Sequence, residues 1–212
     1  METDNIIKQF CKNRFKMLPT FVLDLFRENY KPDITTNFLD ELDEKAEYLE
    51  IQKGEILFTD KDPRKTFLII SGSLVQFVIT PEGEEKAIMF HTESFLPFSG
   101  NTFFGVEESS VHHFARVNED IKVIVIPYDF VVGAVTKYPF FAQKVYLKTL
   151  LYIQTLNRLQ NQIIGLTSLE FLEWLLEHYS FLFQRFKSQD IASFMGITPT
   201  WLSNLKLKVY KK

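Results

Sequence analysis

The 212-residue sequence predicts an α+β fold: helices and a β-roll, then a long helix, then a small helix-turn-helix unit. Three observations carry this. Between Ile51 and Pro127, short runs rich in β-branched and aromatic residues alternate with turn signals, the pattern of an antiparallel sandwich or barrel. From Pro139 the apolar period lengthens to that of a helix. Near the end, two short helical patterns flank a single glycine.

Residues 1–50 read as helical, broken at Pro19 and Pro32. Within them Ile34–Tyr48 is amphipathic, with Phe38, Leu39, Leu42, Ala46 and Leu49 at spacings near three and four. Strands are predicted at Glu55–Phe58, Thr66–Ile70, Leu74–Ile79, Lys86–Phe90 and Ile121–Ile126. The turns between them are Asp60–Pro63, Ser71-Gly72 and Pro81–Gly83. Pro139–Ile164 is one long helix. Along it Val145, Thr149, Tyr152, Leu156, Leu159 and Ile163 advance alternately by four and three, a heptad seam. Such a seam is read first as a homodimer interface; the alternative is packing on the chain's own β-roll, and a long helix has two faces for both. Gly165 closes this helix. Thr167 and Glu170 have capping-box spacing for the next one, Ser168–Tyr179, which carries Leu169, Leu172, Leu175 and Leu176 inward.

The segment Ser188–Leu207 holds the strongest functional signal. Ile191, Met195 and Ile197 lie before or at a turn, and Leu202 and Leu205 after it. Ala192 is small where two helices must cross closely. Gly196 stands where the chain needs a positive φ. Thr198 is a good N-cap, and Pro199 falls at the first helical position, where its missing N–H costs nothing. A second helix of this kind, polar on its outer side, is what a helix-turn-helix lays in the DNA major groove. Any small helical unit can contain the same pattern, so charge matters. Residues 184–212 hold Arg185, Lys187, Lys206, Lys208, Lys211 and Lys212 against the single acid Asp190. The segment therefore carries +5 and residues 1–183 carry −8 of the overall −3, the footprint of a phosphate-backbone binder. A frayed, lysine-bearing end has the same composition.

Other classes are excluded or disfavoured. Cys11 is the only cysteine, so there is no intrachain disulfide and no four-cysteine iron–sulfur or zinc site. The opening Met-Glu-Thr-Asp-Asn lacks the features of a signal peptide, and no run approaches a bilayer span, so a cytoplasmic protein without membrane contact is expected. His91, His112, His113 and His178 are scattered. The adjacent His112 and His113 point to opposite faces of a strand, so no haem, metal or other cofactor is expected. A cupin-type metalloenzyme would need His and Glu clustered on neighbouring strands, and the sequence offers no such set. The 22 Phe read as a phenylalanine-heavy core.

The order of elements and several motifs resemble the CRP/FNR family of bacterial transcription regulators, over about residues 30–208. The motifs are Lys53-Gly54-Glu55-Ile56-Leu57-Phe58, Asp62-Pro63 and Phe67-Leu-Ile-Ile-Ser-Gly72-Ser-Leu-Val75. The segment Asp190–Ser203 resembles the shorter Bacteroidetes-type members. The resemblance implies a cyclic-nucleotide-binding-like β-roll of the double-stranded β-helix or jelly-roll type over 1–135. It further implies a dimerisation helix over 136–165 and a helix-turn-helix unit over 166–212. Implied partners are double-stranded DNA, a second copy of the chain, an unidentified small-molecule effector, and RNA polymerase.

The family's phosphate cassette uses a Gly-Glu pair and, about ten residues on, an Arg followed by Ser or Thr; the Arg neutralises the cyclic phosphate. By this resemblance the ligand positions fall on Phe98, Ser99, Gly100 and Asn101, and on Val111 and His112. The sequence departs there. Val111 stands in the arginine's place, Glu107 and Glu108 repel a phosphate, and Arg116 belongs to a later strand position. An unpaired buried phosphate costs several kcal/mol, so cyclic AMP is not expected to bind tightly. Phe95, Phe98, Phe103 and Phe104 offer an apolar pocket for a neutral ligand, or simply fill the roll.

The DNA-facing residues expected are Ser188, Gln189, Thr198, Thr200, Ser203, Asn204, Lys206 and Lys208. Asn204 can pair with adenine and Lys206 suits phosphate. Trp201 is either exposed or a lid on the support helix. Five residues follow Leu207, too few for the β-hairpin wing common in the family, so weak intrinsic DNA affinity is expected. The reading is a dimeric, non-enzymatic transcription regulator of this type. The alternative is a ligand-binding or protein-interaction module with a decayed DNA-binding end.

Overall fold

The structure, a computed structural model, describes residues 32–103 and 111–209, without the side chains of 32–36 and 103. Cys11, Phe104, Glu107, Glu108, Lys211 and Lys212, and the pocket role expected of Phe103, lie outside what is described. The architecture mixes helices with one antiparallel sheet. Helix α1 (Pro32–Lys45) precedes strands β1 (Glu47–Ile51), β2 (Ile56–Thr59), β3 (Lys65–Ile79), β4 (Glu85–Thr92), β5 (Phe98–Ser99) and β6 (His112–Pro127). Helices α2 (Tyr128–Lys137), α3 (Pro139–Gly165), α4 (Ser168–His178), α5 (Phe181–Arg185), α6 (Ser188–Phe194) and α7 (Pro199–Val209) follow.

Strands β3 and β6 are the spine. They pair antiparallel from Lys65 with Pro127 to Ile79 with His112, and every other strand pairs with one of them. The expected turn at Ser71-Gly72 is instead a bend inside β3. The β3–β6 register shifts around Ser71 and Ser73, and Gly72 holds φ at +94°. A Cβ there would sit 2.3 Å from the Asp120 carbonyl oxygen, so only glycine lets the two strands cross this closely. The expected first helix also ends earlier than its pattern suggested. Leu49 belongs to β1, opposite Val123, because an edge of β6 is available to pair with it.

The strand β3 is buried almost throughout rather than alternately, because both of its faces are covered. Phe67 and Ile69 join Phe58, Leu74, Val117, Ile121 and Val123 in one cluster. Leu68 and Ile70 join Phe38, Leu39 and Leu42 of α1 and Phe140 of α3 in a second. A third cluster runs from the sheet (Val75, Phe77, Phe90, Phe114) into the C-terminal helices (Leu172, Leu175, Ile191, Leu202, Leu205). Aromatic pairs stiffen these clusters, with Phe58 stacked on Phe67 and Phe77 on Phe114, both at 5.1 Å.

Local signals read from sequence reappear in the helices. The Thr167 side chain accepts from the Glu170 N–H while Glu170 accepts from the Thr167 N–H, closing a capping box on α4. No described helix is long and apolar enough to cross a membrane.

Candidate functional site

Helices α6 and α7 meet through a tight turn. Gly196 takes φ +68°, the Ile197 N–H donates to the Ala192 carbonyl, and the Thr198 hydroxyl accepts from the Trp201 N–H to cap α7. The scaffold residues Ile191, Ala192, Leu202 and Leu205 are buried. The outer side of α7 is exposed and polar, with Thr200, Ser203, Asn204 and Lys208 in solvent; Ser188, Gln189 and Thr198 flank it. Trp201 is 43% exposed and sits under the Lys208 ammonium, so it is a surface residue and not a lid. Lys206 is half-buried, 5.0 Å over the Phe183 ring and donating to Ser188 Oγ.

Arg185 departs from the expected basic footprint. Its guanidinium points into the sheet, forked onto Glu93 at 2.8 and 3.1 Å and bonded to Glu119. Burial works to raise the Glu119 carboxyl, but hydrogen bonds from Arg185 and Ser73 outweigh it and hold the group below its ordinary range. This cation is therefore spent within the chain and is not available to a phosphate.

A cavity of about 830 Å³ lies between the sheet and α3. Its walls are mainly apolar, including Phe38, Leu68, Phe95, Phe98, Ile124 and Phe141. The polar groups reaching it include Gln76, Thr66, Thr102, His113 and, on one wall, Lys144 and Lys148 of α3. Gln76 is buried and donates to Ser99 Oγ at 2.9 Å.

The expected ligand residues divide here. Phe98 lines the cavity, and Ser99 lies behind Gln76. Gly100 holds φ +151° where a Cβ would strike the Lys65 carbonyl at 2.3 Å, so it serves the approach of β5 to β3. Asn101 is a structural anchor rather than a ligand contact. Its amide donates to the carbonyls of Thr59, Asp62 and Pro63 and its oxygen accepts from the Lys65 N–H, which uses its bonding capacity on the β2–β3 turn. His112 is turned away from the expected site. His112 points outward to Asp60 at 3.0 Å, and the next residue, His113, faces the cavity, because successive strand residues alternate. Gln76 was missed; a lone amide inside Leu74–Ile79 was its only signal in the sequence.

The heptad seam on α3 faces inward. Val145, Thr149, Tyr152 and Leu156 line the cavity, and Leu159 is 4% exposed within the third cluster. Thr149 and Ile163 of the seam are exposed. The seam turns inward because the sheet and the C-terminal helices present matching apolar surfaces to the same side of α3. Its opposite side leaves Tyr146, Leu147, Leu150 and Ile164 exposed.

No family model matches the chain. One curated relative, electron transport regulator A of Shewanella oneidensis, is 35% identical over 100 residues; the match spans 45% of this chain and 38% of that protein. Solved structures extend further. CooA from Carboxydothermus hydrogenoformans superimposes with a TM-score of 0.64 at 15% identity, covering 92% of this chain and 85% of that one. A CRP/FNR-family regulator from Eubacterium rectale also gives 0.64, at 17% identity over 87% of this chain and 88% of its own. The chain has the fold of the CRP/FNR transcription regulators. A third structure, a cyclic nucleotide-binding domain containing protein from Listeria monocytogenes, agrees at 0.64 and 14% identity, over 84% and 91% of the two chains.

A cyclic nucleotide, the ligand class the CRP/FNR resemblance brings with it, fits these residues poorly. No arginine is among the described residues lining the cavity. Arg116 of β6 is paired with Glu85 and lies over Phe77 and Phe114. The cavity suits an apolar molecule carrying a small polar group.

Proposed function

We propose that this protein is a dimeric, DNA-binding transcription regulator of the CRP/FNR type. The cavity between its β-roll and α3 would receive an apolar effector in place of cyclic AMP. The observation carrying the reading is the pair α6–α7, a helix-turn-helix with a buried apolar scaffold and an exposed polar outer face at Thr200, Ser203 and Asn204. Lys187 and Lys208 are exposed beside that face for phosphate contact. The second copy would pair on the exposed side of α3, through Tyr146, Leu147 and Leu150, since an apolar stripe on a long helix is normally covered.

Selection of bound fragments from genomic DNA, followed by a salt titration on the best of them, tests the reading. Affinity should fall steeply with salt. Asn204→Ala should relax sequence preference by about 1–3 kcal/mol at one base pair, whereas Lys208→Ala should weaken all sequences alike. Failure to shift any DNA at low salt overturns the reading. The effector half is tested by calorimetry with cyclic AMP, where sub-micromolar binding would contradict it.

A further inference from the structure

The loop between β4 and β5 touches the cavity and the C-terminal helices at once. Ser94, Phe95, Leu96 and Pro97 line the cavity. Within the stretch 92–97, Glu93 takes the forked bonds of Arg185, and the Phe95 ring lies 5.4 Å from Tyr179 and 5.2 Å from Phe181. The loop is tightly wound. Thr92 Oγ1 accepts from the Ser94 and Phe95 N–H groups, and His91 Nδ1–H donates to the Leu96 carbonyl at 2.6 Å. Leu96 has φ +47°, the one described non-glycine residue in the left-handed region, a conformation held by its surroundings rather than by preference.

Beyond this loop, the same C-terminal helices are tied to the sheet by a short list of polar contacts. Ser193 Oγ of α6 accepts from the Ala87 N–H of β4, and Asn118 of β6 donates to the Arg185 carbonyl. The Phe90 ring packs on Phe186 and Phe194. Arg185 is therefore the pivot, joined to the loop through Glu93 and to β6 through Glu119.

We propose that the β4–β5 loop, residues 92–97, is a latch: an occupant of the cavity displaces Phe95 and Leu96, draws Glu93 off Arg185, and frees the C-terminal helices from the sheet. This rests on the reading of the cavity as an effector site. The physical basis is geometric. Only one residue separates the carboxylate that holds Arg185 from the ring that borders the cavity. A displacement on one side is transmitted within a loop too short to absorb it. Release is also favoured at Leu96, which returns to an ordinary backbone conformation. Because coupling is reciprocal, breaking the latch by mutation must in turn raise the affinity of the cavity for an occupant.

Hydrogen exchange on the full chain, read at β4 (85–92) and α6 (188–194), tests the latch with neither DNA nor natural effector. Arg185→Gln should speed exchange in both segments by about tenfold. Val145→Trp, which fills the cavity from α3, should do the same, and the double variant should add little, since both act through one loop. Thr155→Trp is a second filling variant if Val145→Trp fails to fold. The dye 1-anilinonaphthalene-8-sulfonate should bind Arg185→Gln several-fold more tightly than the unsubstituted protein. Folded filling variants with unchanged exchange overturn the latch, as does equal dye affinity. A protein that binds no DNA but shows the exchange response loses the regulator reading and keeps the latch.

Discussion

His91 on β4 is fully buried, and burial pushes its imidazole down to about 4 against the ordinary 6.5, with the Leu96 carbonyl working the other way. A folded chain that keeps this ring neutral binds fewer protons than the unfolded chain between pH 6.5 and about 4. The stability it contributes is present in full above 6.5 and is lost as pH falls toward 4, a loss of about 3 kcal/mol. Urea denaturation across that range should show the slope, and His91→Gln, which keeps a donor for Leu96, should flatten it. An unchanged slope in the variant would assign the acid sensitivity to other groups. Single residues also show where sequence reading succeeds. Gly196, Thr198 and Glu170 act through bonds to neighbours within a few residues, so their roles were visible in the sequence. Asn101 and Arg185 act on partners some forty to ninety positions away, and nothing local announced them.

At the scale of the element, helix α3 is the instructive case. Its length and period were legible, and its orientation was not. Apolar residues occur on more than one side of it, so periodicity named a stripe without naming its partner. Most of the expected seam borders the cavity beside the chain's own sheet, and the exposed side carries Leu150. On the proposed dimer, Leu150→Glu should weaken association by at least about thirtyfold, as expected for a charge at a central interface position. Light scattering across a concentration series reads this, and an undiminished dimer would place the interface elsewhere. The strand β3 gives the complementary lesson. A 15-residue strand buried on both faces looks in sequence like two strands with a turn, because Gly72 marks a close crossing as readily as a reversal.

Over the whole molecule, the third apolar cluster joins sheet and C-terminal helices, so the two should unfold together. Both tryptophans, Trp174 and Trp201, lie in the C-terminal helices, and the β signal comes from the sheet. Thermal transitions followed by tryptophan fluorescence and by far-ultraviolet dichroism should coincide in the unsubstituted protein. Two separated transitions would mean that the shared core contributes little cohesion.

The sequence by itself determined the kinds and order of elements, the capping box and the turn at Gly196. These depend on contacts between near neighbours or on composition, and both are written linearly. Only the tertiary structure decided which face of α3 meets the sheet, that His113 and not His112 borders the cavity, and that Arg185 is held by Glu93 and Glu119. Those outcomes depend on contacts between residues tens of positions apart, which no local pattern in the sequence records.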